Sequence, residues 1–342
     1  MIVRNYTRFW PFLFDSVDPQ GREFGVFVLR GAFRIVPGGV AQLDPEQPEV
    51  SGGDVFHGDA ASSSLRMEGD LAPFKQRSDI HINATAHAPG GWPAPAWLVR
   101  ARVGKVDKTL RVTGPRRWVR EGGEYRLTDP EPCREVPVRY EHAFGGTFKD
   151  AWGARLAFEQ NPVGKGYLPE GKTPGDVAFE APQIESPDDP VTELGRIHKP
   201  EGLGPIPGVW LPRRAYAGTY DEAWQAERWP HAPLDFDYRF YNSAHPDLVY
   251  PGYLRGNEEI VLENMHPDGA LELRLPGYEL GLLALLETGS RAVVPMLLDT
   301  LMIDVPEGRL FMTWRGAYSK RRRIEALEAC MAAPGGTTRG RE

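Results

Sequence analysis

The amino-acid sequence predicts a mainly β protein: one β-rich unit of two sheet-forming halves, sandwich- or barrel-like, around a long irregular, loop-rich centre with few short helices. Gly (38) and Pro (32) supply about a fifth of the 342 residues, against about 12% in average proteins, so regular elements are interrupted often. Short apolar–polar alternations recur near both ends of the chain, and such alternation is typical of strands. Hydrophobic residues make up 41% of the chain, which is enough for a folded core.

The domain boundaries follow from where these patterns occur. Residues 1–318 are predicted to form a single domain, with strands in 1–128 and 211–318 and long ordered loops in 129–210. Loops this long usually carry function or cover a sheet face. The remaining residues are predicted to form a C-terminal helix over 319–332 and a disordered tail over 333–342.

Two strands are predicted from clear patterns in the first half, and one of them carries two histidines that are candidate metal ligands. Glu23–Val36 is rich in Phe and Val and ends at turn formers, which predicts a hairpin. Asp79–Ala88 alternates apolar and polar residues, which places His81 and His87 on its polar face. Six residues of strand separate these histidines by roughly 20 Å, too far to share a metal ion. Each is therefore expected at the surface or at an interface.

The second half is predicted to close with a hairpin. Leu298–Val305 and Arg309–Trp314 are strand-like and flank a Pro-Glu-Gly turn. Three short helices are expected besides, over Asp221–Trp229, Gly281–Thr288 and Ser319–Ala332, the first with Asp221 as its N-cap.

Charge and targeting patterns narrow the function classes. The net charge is −7, and no basic stripe indicates nucleic-acid binding. The one basic run, residues 320–323, is expected on the solvated face of the last helix. Cys133 and Cys330 are too few for a disulfide framework. No secretory signal is recognised, and the most apolar stretch, Leu280–Leu286, is too short to span a bilayer. A cytoplasmic protein with no membrane partner is expected.

Catalytic motifs for nucleotide binding, zinc hydrolysis, serine hydrolysis and thiol redox chemistry are absent from the sequence. Asp235 and Asp237 are interpreted as neighbours on one strand face, with Arg239 next in that row. Such a pair could do acid–base work or hold a hard cation. The favoured interpretation is a polar sheet face on which Arg239 neutralises one aspartate.

The centre contains two glycine-rich stretches. In residues 140–148, Glu141 and His142 could form a proton relay, but neighbouring residues of an extended segment point in opposite directions. Gly145 and Gly146 are interpreted as a tight turn that needs positive φ. In residues 161–167, Asn161, Gly164 and Gly166 are interpreted as a turn rather than a phosphate cradle.

Residues 218–240 combine aromatic rings with carboxylates around His231. Tyr220 and Trp224 are interpreted as packing that fixes a short helix to a sheet. Asp221, Asp235 and Asp237 are then acceptors that hold backbone amides or arginines such as Arg213. Scattered tryptophans, Trp210 and Trp314 among them, are expected mainly as core packing, although aromatic side chains also anchor protein partners.

Several unusual segments occur in an order that resembles a bacterial family catalogued as domain of unknown function 2169, over roughly residues 5–318. They are LAPFKQRSDIHINATAHAP, VGKVDKTLRVTGPRRW, YEHAFGGTF, NPVGKGY, GPIPGVWLPRRAYAGTYDEAW, PLDFDYRFYNSA and LDTLMIDVPEGRLFMTWRG. The resemblance implies a non-enzymatic adaptor or chaperone that binds a cognate type VI secretion effector, often one linked to a PAAR-type spike tip. It also implies help in loading that toxin onto the valine-glycine-repeat spike.

The resemblance carries over no catalytic, cofactor-binding or metal-binding residue. It marks residues with structural or interaction roles: His142, Gly145, Gly146, Asn161, Gly164, Gly166, Trp210, Arg213, Tyr220, Asp221, Trp224, Asp235, Asp237 and Trp314. A free adaptor is expected to be a monomer or weak dimer, whereas a structural part of the secretion machine would form a stable symmetric oligomer. The alternative is a carbohydrate-active hydrolase or sugar-binding module that uses paired carboxylates beside aromatic platforms.

Overall fold

Strands dominate the structure, a computed structural model that describes residues 1–150, 152–174 and 179–332. The one α-helix of these residues, α1, spans Glu222–Glu227. Short 3-10 helices lie at Pro89–Gly91, Tyr140–His142, Arg213–Ala217, Tyr238–Tyr241 and Pro246–Leu248. None of the helices in the described ranges has the length and apolar character needed to cross a membrane.

The strands, in chain order, are β1 (Ile2–Asn5), β2 (Trp10–Val17), β3 (Glu23–Arg34), β4 (Gln42–Leu43), β5 (Val55–Phe56), β6 (Leu65–Met67), β7 (Asp79–Asn83), β8 (Thr85–His87), β9 (Ala96–Val103), β10 (Val106–Thr113), β11 (Arg117–Glu121), β12 (Glu124–Leu127), β13 (Glu135–Pro137), β14 (Phe144–Gly145), β15 (Thr147–Lys149), β16 (Arg155–Ala157), β17 (Lys165–Gly166), β18 (Phe179–Glu180), β19 (Ile184–Glu185), β20 (Glu259–His266), β21 (Gly269–Arg274), β22 (Glu279–Leu286), β23 (Arg291–Pro295), β24 (Leu297–Asp304), β25 (Arg309–Ser319) and β26 (Ile324–Ala332).

The largest sheet has six strands in the order β2-β3-β25-β24-β7, with β4 also paired to β3. Its pairs are antiparallel except for β7, which runs parallel to β24. The predicted first and last hairpins are confirmed: β3 turns back into β4, and β24 turns back into β25. This sheet joins strands from the first and the last third of the chain.

A five-stranded sheet follows the order β19-β10-β9-β20-β21. The strands from the first half (β9, β10) lie directly beside those from the second half (β20, β21), and β19 comes from the centre. The two halves therefore interleave in both sheets. Among the described residues, none of the sheets closes into a barrel, which agrees with the sandwich-like form of the predicted fold.

A four-stranded sheet, β1-β26-β22-β23, corrects two helix predictions. Gly281–Thr288 lies mostly in β22, and Ser319–Ala332 lies in the end of β25, a turn and β26. Leu282, Ala284 and Leu286 are buried at every second position, the period of a strand. The helical propensity of the Leu, Ala and Glu residues in these segments is overridden by pairing between strands far apart in sequence. The basic run 320–323 is exposed in the turn before β26.

One continuous hydrophobic core fills the space between the sheets. The six-stranded sheet contributes Leu29, Ile80 and Trp314, and the five-stranded sheet contributes Val99 and Leu110. Alternate residues of β9, from Trp97 to Val103, are buried, as expected for a strand with one face on the core.

The second face of the six-stranded sheet is also covered, and this corrects the histidine prediction. His81 is only 1% exposed, not at the surface as its polar alternation predicted. The whole of β7 is buried, because residues 66–79 and 206–250 lie over this face. Alternation shows which residues share a face, but it does not show whether a loop region covers that face.

The irregular centre is held by short strand pairs and by aromatic contacts. β14 pairs with β17 and β15 with β16. The ring of Phe144 packs edge-on to Phe158, which in turn packs on Tyr167. Trp152, which also lies in this centre, is 92% exposed. The predicted disordered tail, residues 333–342, lies outside the described residues.

Replacing Trp314 with Ala should lower the free energy of unfolding by about 3–5 kcal/mol, because a buried aromatic ring leaves a cavity when it is removed. Trp314 is buried and stacks on Phe9 with ring centroids 5.6 Å apart. Trp152→Ala is the matched control and should leave stability within about 0.5 kcal/mol of wild type. Equal effects of the two substitutions in urea unfolding would contradict this packing.

Candidate functional site

A cluster of buried ionic side chains joins the covered face of the six-stranded sheet to the segments above it. We call it the buried ionic cluster and define it as Glu68, Lys75, Asp79, His81, Arg213 and Ser243. Lys75 Nζ donates to Asp79 Oδ2 at 2.7 Å and to Glu68 Oε2 at 2.9 Å. Arg213 also pairs with Glu68. Two cations and two carboxylates thus neutralise each other.

The same face carries further buried pairs along the sheet. Arg30 pairs with Asp70 at 3.1 Å, and Arg315 pairs with Asp299. Arg315 also donates to the backbone oxygen of Asp70 at 2.7 Å. Because an unpaired buried charge is very costly, these pairs fix the covering segments to the sheet.

Ser243 and His81 have the geometry of a nucleophile and a base, but their surroundings oppose that role. Ser243 Oγ lies 3.0 Å from His81 Nε2. The hydroxyl donates to Glu68 Oε2 at 2.6 Å, so His81 Nε2 acts as the donor to it. Both side chains are buried, which closes the hydroxyl to substrate. The pair is a hydrogen-bonded part of the cluster.

The pKa values in the cluster follow from burial and from neighbouring charges. Burial lowers the pKa of His81 to about 4, so the imidazole is neutral at pH 7. Burial alone would raise the pKa of Glu68, but the adjacent Lys75 and Arg213 lower it to about 2. The cluster is therefore stable with Glu68 ionised and His81 uncharged.

A second polar cluster lies between β10 and the segment before β20. Glu201, His245 and Asp247 each offer a ligand atom within 4.8 Å of the others. The ammonium group of Lys108 occupies the space among them, 2.5 Å from Glu201 Oε2 and 2.8 Å from Asp247 Oδ2. Burial, with Lys108 adding to it, lowers the pKa of His245 to about 4. The lysine supplies the positive charge that a metal ion would otherwise bring.

The two glycine-rich stretches predicted as turns contact each other around Asn161. We call this unit the brace and define it as residues 140–148 and 161–167. Asn161 is buried, and its Nδ2 donates to the backbone oxygens of Tyr140 and Phe144. Gly145 and Gly146 have φ values of 146° and 107°. A Cβ on Gly145 would lie 2.2 Å from the backbone oxygen of Asn161. The positive φ predicted at both glycines is confirmed.

Gly164 and Gly166 complete this brace. A Cβ on Gly164 would lie 2.4 Å from Asn161 Nδ2, and one on Gly166 would lie 2.8 Å from Pro182. His142 also belongs to the brace, and its Nδ1 lies 3.1 Å from Gln183 Oε1. Glu141 accepts from the backbone N and the Oγ of Ser64, so it is not paired with His142 as a relay.

Trp210, Arg213 and Trp314 lie in the interior. Trp210 packs edge-on to Tyr140 at 5.8 Å, and Trp314 belongs to the core described above. Arg213 reaches the backbone oxygens of Ile206 and Phe240 as well as Glu68. Trp210 and Arg213 therefore hold the segment around 206–250 in place, and Trp314 packs on Phe9 in the core.

The aspartates of residues 218–240 lie on turns, which corrects the strand prediction for this stretch. Asp235 accepts from the backbone N and the Oγ1 of Thr219. Asp237 caps the 3-10 helix Tyr238–Tyr241 and pairs with Arg239. The predicted pairing of Arg239 with one aspartate is confirmed, and the neighbouring Leu234 is 74% exposed. The carboxylates stabilise local turns in the way that aspartate side chains commonly do.

The predicted short helix is confirmed as α1, two residues shorter at its C-terminal end and with Asp221 as its N-cap. Asp221 Oδ1 accepts from the backbone N of Trp224 at 2.8 Å, and Trp224 Nε1 donates to the backbone oxygen of His231. Tyr220 packs on Trp224 with centroids 4.7 Å apart, yet Tyr220 itself is largely exposed.

A cavity of about 300 Å3 opens next to this stretch. Its walls include Ile206, Tyr216, Ala244 and Val249, and Arg77 lies at its edge. The sequence did not single out this cavity, nor Glu68, Lys75 and Ser243. The sequence signal near them is the alternation of three charged residues, Lys75, Arg77 and Asp79, directly before and at the start of the strand β7.

Comparison with known proteins identifies the chain at the level of a family. A family described as an uncharacterized protein conserved in bacteria, domain of unknown function 2169, matches residues 20–315. The chain belongs to this family. No curated protein and no solved structure matches it significantly. The matched residues include the strands of the six-stranded sheet from β3 to the first part of β25, the buried ionic cluster and the residues that line the cavity.

Acidification should destabilise this family member through its buried histidines, which include His245 as well as His81. In the unfolded chain the His81 imidazole titrates near its ordinary value of 6.5, but in the fold its pKa is about 4. The unfolded state therefore binds the proton earlier, and up to about 3 kcal/mol of stability is lost as pH falls from 6.5 to 4. Glu68, with a folded pKa of about 2, adds a further loss below its ordinary pKa.

His81→Gln should make this dependence shallower by the share that His81 contributes, because the amide stays neutral and can still donate to Ser243, while His245 continues to titrate. The measurement is the unfolding free energy in urea at pH 7.5, 6.0 and 4.5. His266→Gln, a partly exposed histidine of β20, controls for the removal of one histidine. A His81→Gln slope equal to that of wild type would show that the buried imidazole does not govern acid sensitivity.

Gly145→Ala should destabilise the brace by more than about 2 kcal/mol, because the new methyl adds a backbone clash to the strain of positive φ. Gly153→Ala is the matched control: its φ is 86° but its Cβ would meet nothing within 4 Å. The control should cost only about 1 kcal/mol. Equal losses of melting temperature in the two variants would contradict the close approach to Asn161.

Proposed function

We propose that this protein is a non-enzymatic adaptor or chaperone in the cytoplasm that binds a cognate type VI secretion effector and assists its loading onto the valine-glycine-repeat and PAAR spike. The secretion context comes from the resemblance of the segments quoted above. One observation on the fold supports a binding role over catalysis: the carboxylates that could have served as acid and base are held by donors of the chain itself.

Each candidate carboxylate has an internal partner. Asp221 is held by the backbone amide of its helix, Asp235 by Thr219, and Asp237 by Arg239. Glu141 is held in the same way by Ser64. A glycosidase of the alternative function would instead present two free carboxyl groups at the base of an aromatic cleft. The observed arrangement suits a scaffold whose charges stabilise turns.

The exposed surface offers apolar contact area for a protein partner. Trp229 is 68% exposed and Leu234 is 74% exposed, both in the stretch that follows α1. Trp10 and Phe12 are also exposed on β2, an edge strand of the six-stranded sheet. Aromatic side chains on rigid elements make good anchors for partners, and an edge strand can accept an added strand. A client that exposes apolar surface would be covered by such contacts.

Co-expression with the product of the neighbouring toxin gene tests the proposal. The toxin should become soluble and co-elute with this protein on a sizing column, whereas this protein alone should elute as a monomer or weak dimer. The control is the toxin expressed alone. A toxin that is equally soluble alone, with no complex, would contradict the adaptor role. Turnover of a glycoside that is lost in Asp235→Asn would establish the hydrolase instead.

A further inference from the structure

We propose that the cavity beside Tyr216, which we call the Arg77 pocket, receives an apolar side chain of the partner protein whose neighbouring residue is acidic. The carboxylate of that acidic residue pairs with Arg77 at the mouth. This inference rests on the proposed function, because it assumes a protein partner, and it specifies where and by what chemistry that partner is held.

The walls of the Arg77 pocket are suited to an apolar anchor. They include Ile206, Pro212, Tyr216, Ala244, Pro246 and Val249. The volume of about 300 Å3 is at the small end of the roughly 300–1,000 Å3 found for pockets that enclose whole ligands. A space of this size and character accommodates a leucine or aromatic side chain of a docked segment.

The charge at the mouth of the Arg77 pocket indicates that the residue next to the inserted side chain is acidic. Three arginines border the pocket, and two of them are already neutralised: Arg213 by Glu68 and Arg239 by Asp237. Arg77 is exposed, and no described carboxylate pairs with it. One uncompensated positive charge therefore stands beside an apolar cavity, on a protein whose net charge is −7. A carboxylate next to the inserted side chain would complement it.

The backbone of Arg77 is held in place by the chain itself. Asn242 Nδ2 donates to the backbone oxygen of Arg77 at 2.9 Å and to Asp79 Oδ1 at 3.0 Å. Asp79 is itself part of the buried ionic cluster. Arg239 lies over the ring of Tyr216, 4.3 Å from its centroid, which fixes another wall. A site whose backbone is held in place loses less conformational freedom when it binds.

A peptide selection on the whole purified protein tests the pocket without knowledge of the client. A random heptapeptide library displayed on phage is the probe. The enriched peptides should share a large apolar residue next to Asp or Glu. Synthetic copies should bind Arg77→Glu about tenfold more weakly than wild type, and their affinity should fall with added salt. Tyr216→Ala, which removes a wall, should weaken the same peptides.

Arg322→Glu is the matched control, since it makes the same charge change in the exposed turn before β26 and should bind these peptides like wild type. Melting temperatures of all variants show whether the fold is retained. Enriched peptides without an acidic residue, equal binding to wild type and Arg77→Glu, or no enrichment would each overturn the pocket assignment.

Co-expression with the neighbouring toxin separates this inference from the proposed function. If wild type and Arg77→Glu bind the toxin equally well, the adaptor role stands and the Arg77 pocket is wrong. If wild type itself binds no toxin, the proposed function fails. If wild type binds the toxin and Arg77→Glu binds it about tenfold more weakly, both are supported.

Discussion

The need to pair buried charges on one face of the six-stranded sheet determines how the rest of this chain is arranged. Lys75 and Asp79 lie beside or on β7, and their partners arrive from Glu68 and Ser243. An unpaired charge at such a position would cost several kcal/mol. Residues 66–79 and the segment 206–250 are therefore held against the sheet by the sheet's own polar residues, while the opposite face packs through apolar side chains.

The apolar and the polar face of the six-stranded sheet therefore have different roles: the first forms the core, and the second carries loops. The apolar face joins three sheets into one core, where a change of shape would affect packing everywhere. The polar face carries loops, and loops on a rigid base are where proteins commonly place recognition. Because the ionic groups there neutralise each other, they leave little free charge for chemistry. The groups left for contact with other molecules are exposed ones, such as Arg77, Trp229 and Leu234.

The sequence predicted the β-rich class, the terminal hairpins and the N-cap of α1, because these depend on turn residues and periodicity within a few positions. The prediction from sequence was wrong where pairing between distant strands overrides local propensity. An example is β26, whose sequence predicts a helix. The prediction was also wrong at His81, since a strand pattern does not reveal what covers its polar face. The Arg77 pocket and the buried ionic cluster could not be predicted: Glu68 and Ser243 are 175 positions apart, and no local spacing links them.

The pairing of β3 with β25 affects how the protein folds while it is being synthesised. Residues 24–34 are matched to residues 309–319 over their whole length, so the largest sheet cannot be completed until almost the entire chain has left the ribosome. Contacts this distant in sequence form slowly. Until β25 has been synthesised, β2 and β3 lack the strand that pairs with β3 in the folded sheet. The unpaired edge of β3 is therefore exposed during synthesis, when contacts with other unfolded chains lead to aggregation.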